Sequence, residues 1–238
     1  IVIAARKEVG DDFPIGIRLS AADYNYQPLN LRMPLSWPLK HWYFGSTIED
    51  NLYYATRLKA LGIEYLHIDK GYGFPNPKGL PGDLFYNSNR HLSTKAWLRS
   101  MVFNALPNFI LSPVANIGWA YVPAVSADDA RRFKEATGLP VISNGGYQDL
   151  KEIEQSLTEC KADLLAMARP LLANVNLLHQ FKSGRTSPEN PCTHCNRCVV
   201  RTANYPLGCY DPSRFASQYE MEQQIMEWSA SSDEQGNA

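Results

Sequence analysis

Long apolar runs are missing from this chain, and so is an excess of either charge. No stretch of its 238 residues is apolar over the roughly 20 positions that a membrane-spanning helix needs. The formal net charge is −1, from 23 Lys and Arg against 24 Asp and Glu, so nothing draws the chain as a whole to nucleic acid or an acidic membrane surface. The opening residues Ile1 to Glu8 are amphipathic and lack the order of a secretory signal. Cysteine is scarce, with five in all, and an odd number with one isolated residue is a poor disulfide framework for a domain this size. That argues for a reducing compartment, the cytoplasm, and for thiols put to another use. No Gly-x-Gly-x-x-Gly fingerprint for a dinucleotide occurs. The initiator Met is missing too, and the chain opens inside a helical pattern, which reads as a fragment of a longer protein.

What is present supports a real core. The chain is 45% apolar and 20% charged, ordinary values for a globular protein. Residues 1–9 read as the end of a helix stopped by Gly10. Short apolar runs at 13–19, 63–68, 139–143 and 162–167 read as buried strands. Helical patterns follow at 46–60 (capped by Ser46 or Thr47), 93–106, from Ser126 onward, 148–160 and 175–182. A polar helix to about Trp228 with a disordered end closes the chain. Strand, loop and helix alternate as in parallel βαβ units. The two long loops, at 21–45 and 69–93, are rich in aromatic side chains that shape a pocket or pack the loops down. An open flavodoxin-like sheet uses shorter loops. The pattern therefore predicts an α/β fold of the (β/α)8 TIM-barrel type, of which only half is present. Its parts are 1–189 for the half barrel, 190–212 for a cysteine-rich loop and 213–238 for a polar tail. Barrel edges left open would make two copies pair, or would call for the missing N-terminal half.

Three constellations carry chemistry. Cys192, Cys195 and Cys198 stand at two-residue spacing, and Cys209 follows after ten more residues. Thiolates so spaced can share a soft metal centre, either a [4Fe-4S] cluster or a structural zinc held by the four cysteines or by three with His194. His194 otherwise reads as a loop residue facing solvent, and Cys160 as a small buried apolar side chain. The turn Asn144-Gly145-Gly146 ends one strand, and Ala168-Arg169-Pro170 ends the next. Backbone N–H groups and an arginine at neighbouring strand ends suit a phosphate. Arg18 interrupts an apolar strand near its C-terminal end, where it needs an anionic partner, a ligand or an internal ion pair. The orientation of His67 on its strand is open.

The segments Phe-Pro-Ile-Gly-Ile-Arg-Leu-Ser-Ala (13–21), Val-Ile-Ser-Asn-Gly-Gly (141–146), Ala-Asp-Leu-Leu-Ala-Met-Ala-Arg-Pro-Leu-Leu-Ala-Asn (162–174) and Cys-Thr-His-Cys-Asn-Arg-Cys (192–198) together resemble the old yellow enzyme family of NADH:flavin oxidoreductases. The nearest branch is the one that includes 2,4-dienoyl-CoA reductase and trimethylamine dehydrogenase. The resemblance implies strands five to eight of that family's barrel. It implies FMN, with Arg18 against the flavin ring and Asn144, Gly145, Gly146, Ala168 and Arg169 at its phosphate. It also implies a [4Fe-4S] cluster on the four cysteines, NAD(P)H as electron donor, and an activated alkene or similar small molecule as substrate. Dienoyl-CoA reductases place a proton-donating His after strand six. Here residues 71–75 read Gly-Tyr-Gly-Phe-Pro, which leaves Tyr72 as the candidate donor. The ten-residue interval before Cys209 also departs slightly from the family pattern. Two other readings compete: a metal-binding electron-transfer or structural module without catalysis, and a phosphate-binding barrel stapled by zinc.

Overall fold

The computed structural model describes residues 1–22, 46–70, 122–195, 197–201 and 205–235. Two compact units divide them, one running to Met167 and the other beginning at Ala168. Tyr72, the two aromatic loops and the 93–106 helix lie outside the described residues.

The first unit is built round a parallel sheet of four strands in the order β1-β2-β3-β4. These are β1 (Gly16–Ser20), β2 (Tyr65–Asp69), β3 (Val141–Asn144) and β4 (Leu164–Ala166). Every strand pairs with its successor, as in the wall of a barrel, whereas an open doubly wound sheet reverses order at a switch point. Around the sheet run α1 (Val2–Val9), α2 (Ile48–Ala60), α3 (Ala127–Thr137) and α4 (Leu150–Thr158). Helix α2 starts in a reciprocal capping box: Thr47 Oγ1 accepts from the Asp50 N–H, and Asp50 Oδ2 accepts from the Thr47 N–H at 2.9 Å. That arrangement satisfies two of the donors a helix start leaves unpaired.

Register decides what each face of the sheet carries. Arg18 lies beside His67, and His67 beside Ile142, while Leu19, Ile68 and Ser143 form the next row. Because side chains alternate along a strand, Ile17, Leu19, Leu66, Ile68 and Val141 share one face. That face packs with Ala55 of α2 and with Ala130 and Phe133 of α3 into the main core. Burying each large apolar side chain there contributes roughly 1.5–3 kcal/mol. The opposite face carries Arg18, His67, Asp69, Ile142 and Asn144. Asp163 latches the start of β3 to α3, accepting from the Val141 N–H at 2.9 Å and from Lys134 Nζ at 2.8 Å.

The second unit contains α5 (Arg169–Ala173), α6 (Leu177–Lys182), α7 (Arg197–Arg201), a 3-10 turn (Pro212–Arg214) and α8 (Gln218–Gln235). Its small core joins Tyr210, Met221 and Ile225, with Phe215 packed against them. Helix α8 continues past the expected stop at Trp228, because residues 229–235 contain no glycine or proline to interrupt it. Among the described residues, no helix is long and apolar enough to cross a membrane.

Candidate functional site

The second unit brings the four cysteines together. Cys192, Cys195, Cys198 and Cys209 line one pocket, along with Arg169 and Arg214. Cys192 and Cys195 lie in the segment leading into α7, where His194 takes a left-handed conformation with φ 58°, and Cys198 is in the first turn of that helix. Its backbone N–H donates to Cys192 Sγ at 3.4 Å.

Cys209 arrives from further along the chain, and several contacts bring it back. Buried Asp211 accepts from the hydroxyl of Thr193, next to Cys192, and its other oxygen accepts from the Ser213 N–H at 3.0 Å. Arg201, at the end of α7, stacks on the Tyr210 ring at 4.7 Å and on the Tyr205 ring at 5.6 Å. Gly208 presses on α8 so closely that a Cβ would lie 2.7 Å from Ile225 Cγ1. Asp211 and these ring contacts were not legible as site residues. The signal for Asp211 was its place before Pro212-Ser213, a sequence that favours a side-chain-closed turn.

The pocket's electrostatics oppose free thiolates. Burial raises the Cys192 and Cys195 thiols, and burial with neighbouring Cys192 pushes Cys198 up to about 12. The Arg169 guanidinium acts the other way on Cys192 and Cys198. Such thiols give up their protons when a cation takes them, as in metal binding.

His194 does not face solvent as expected. It is 6% exposed, and burial together with Arg169 lowers its pKa to about 4. It is also absent from the pocket wall, which the four cysteines line. Cys160 reverses its expectation as well, since it is exposed at φ 54° just beyond α4.

The sheet unit holds the other candidates. Arg18 Nε donates to Asp69 Oδ2 at 2.8 Å, while 61% of the Arg18 side chain stays exposed. An internal ion pair is thus part of its role. His67 sits beside it in the neighbouring strand, its Nε2 buried without a hydrogen-bond partner, and burial and then Arg18 lower its pKa.

Asn144 ends β3, and Gly145 and Gly146 follow at φ 119° and 77°. A Cβ on Gly146 would lie 2.5 Å from the Val122 carbonyl oxygen and 2.8 Å from the Ala124 nitrogen. Close backbone packing therefore demands that glycine, whatever else the turn does. Ser126 stands before α3 as expected, but its side chain makes no cap bond. Its hydroxyl is buried without a partner, and it would lie 3.4 Å from a Cβ on Gly145. Ala168 is the N-cap of α5 and Arg169 its first residue.

A parallel α/β sheet whose strand ends carry polar groups, with a four-cysteine pocket further along the chain, is the architecture to be placed. No protein-family model matches the chain. It is 21% identical to the NADH oxidase of Thermoanaerobacter brockii over 197 residues, covering 82% of this chain and 22% of that protein. Cinnamate reductase of Clostridium sporogenes is 22% identical over 208 residues, 86% of this chain and 25% of the relative. A shorter match, 36% over 70 residues, is to 4,4'-dithiodibutanoate disulfide reductase of Rhodococcus erythropolis, covering 29% of this chain and 17% of that one. Among solved structures, 2-naphthoyl-CoA reductase in complex with 2-naphthoyl-CoA superposes with a TM-score of 0.50 at 21% identity, over 83% of this chain and 22% of that one. This last likeness concerns the fold. The chain spans about a fifth to a quarter of the length of the two curated relatives that it matches over most of its residues. Relatives named as an NADH oxidase and a cinnamate reductase, each matched over most of this chain, accord with the resemblance to the old yellow enzyme, or NADH:flavin oxidoreductase, family that the sequence motifs carry.

Proposed function

We infer that the chain is part of an FMN-dependent NAD(P)H:flavin oxidoreductase that reduces an activated alkene or a similar small molecule, and that it supplies strands five to eight of the barrel with the cysteine-rich segment. One observation carries the reading: four cysteines line a single pocket in a chain whose relatives are named as oxidases and reductases.

The donor set fits an iron–sulfur cluster. Four sulfurs and no imidazole line the wall, and two arginines face them. Three closely spaced thiols with a remote fourth match the ligand pattern of such a cluster. Cys192, Cys195, Cys198 and Cys209 would hold the cluster, which accepts and donates single electrons when bound.

The sheet unit fits the flavin nucleotide in the chemistry of its residues. The buried Ser126 hydroxyl without a partner beside Gly145, and the largely exposed Arg18 guanidinium, are polar groups that a nucleotide would satisfy. Arg18 would bind the flavin ring and hold positive charge against it, with Asp69 fixing its orientation. Asn144, Gly145 and Gly146 would present backbone N–H groups to the phosphate. Tyr72 is the proposed proton donor to substrate. When bound, FMN would supply the hydride-transfer chemistry between nicotinamide and substrate.

The test is the colour and content of the protein purified without oxygen. The two-band flavin spectrum, released FMN and about four iron atoms per chain are expected, with flavin absorbance bleached by NADH or NADPH. A colourless, zinc-loaded protein would overturn the reading.

A further inference from the structure

We propose that Arg214 holds Cys209 in the ligand set and raises the reduction potential of the group bound there; this rests on the cluster reading above. Arg214 ends the 3-10 turn that follows Cys209. Its Nη1 donates to Cys209 Sγ at 2.9 Å, and its Nη2 donates to the carbonyl oxygens of Ala173 at 2.7 Å and Asn190 at 2.6 Å. The side chain of Asn190 reciprocates, donating to the Arg214 carbonyl at 3.2 Å. A planar fork with acceptors on both tines has one orientation, which a lysine ammonium does not reproduce.

The charge balance points to an anion. The Arg214 side chain is part-buried, and the buried part of a guanidinium favours a negative partner. Among the described residues no carboxylate pairs with Arg214, and its buried Nε has no hydrogen-bond partner. Two carbonyls and a sulfur are its acceptors. A neutral thiol is a weak acceptor, so the contact becomes strong only when Cys209 carries negative charge, as it does when bound to iron. Thiolate-bound clusters are anionic and gain further negative charge on reduction. A fixed cation and an N–H···S bond at one ligand favour that reduced state, and hydrogen bonding to the sulfurs is a known lever on cluster potential. The same contact restrains the one cysteine that lies outside the closely spaced three.

The experiment compares wild type, R214Q and R214K, all purified anaerobically. Iron content is measured with an EPR-monitored potentiometric titration in dithionite. With iron retained, R214Q is expected to lower the one-electron reduction constant about tenfold, which is 59 mV. R214K, which keeps the charge but loses the fork, should fall between. Loss of iron from R214Q but not from R214K also supports a cationic donor on Cys209. Full iron and an unchanged potential in R214Q would overturn this inference alone. Iron lost equally from R214Q and R214K, with the fold intact by circular dichroism, would support the fork as what holds Cys209. A wild type holding zinc and no iron would sink the cluster reading and this inference together.

Discussion

Arg18 and His67 stand side by side on the polar face of the sheet, and their different solvation sets different tests. Arg18 keeps most of its side chain in water although it pairs with Asp69, so its loss should cost little stability, as for other exposed pairs. In the flavin reading, Arg18→Ala removes a charged contact of about 1.5–3 kcal/mol, and flavin affinity or its rate of reduction by NADH should fall at least about tenfold. Stopped-flow traces within twofold of wild type would exclude Arg18 from the cofactor site.

His67 reports on pH. Burial and the neighbouring Arg18 lower its pKa below the ordinary histidine value of 6.5. The unfolded chain therefore takes up a proton near that pH while the folded chain resists it. The stability His67 contributes is complete above about pH 6.5 and declines as pH falls further. His67→Gln should flatten urea-unfolding stability between about pH 6.5 and 5, and an unaltered slope would refute the assignment.

The residue scale is also where sequence reading was least secure. The cysteines were legible because ligand spacing is a local property. The burial of His194 and the exposure of Cys160 were not, since both turn on a left-handed backbone residue that re-aims a side chain. Asp211 and Arg214 acquire their roles only when distant segments meet.

At the scale of elements, the parallel strands declared themselves by apolar runs, with their starts displaced by two or three residues and their ends by one. Apolar residues flanking a strand, such as Ile63 and Leu139, pack into the same core without joining the ladder. Helices α5 and α7 went unseen because five residues are too few to show a helical period.

Two substitutions probe the elements. Phe133, fully buried between α3 and the sheet, should cost about 3–5 kcal/mol when cut to alanine, measured by denaturant unfolding. Gly146→Ala meets both a left-handed φ and backbone atoms that cannot retreat as a side-chain tip would. A loss of about 1–3 kcal/mol or more is expected. A variant as stable as wild type would mean that the 122–124 backbone yields, and would leave the glycine to ligand binding alone.

For the molecule as a whole, the two units are held by different means. Among the described residues, the sheet unit has a large apolar core, whereas the cysteine unit shows the small cluster round Tyr210 together with hydrogen bonds, stacked rings and four cysteines that bound metal would tie together. Stripping the metal under anaerobic conditions should raise amide exchange through residues 190–215 and leave β1 to β4 protected, as read by hydrogen-exchange mass spectrometry. Equal loss in both units would show that they unfold as one body.

The side-by-side register of β1 and β2 also limits how this protein can diverge. A single residue inserted ahead of Leu66 in β2 would turn Leu66 and Ile68 out beside Arg18 and drive His67 and Asp69 under the helices, exchanging oil for charge in one step. Descendants can lengthen or shorten the segments beyond the strand ends at small cost, but within these five residues length is inherited unchanged or the sheet is lost.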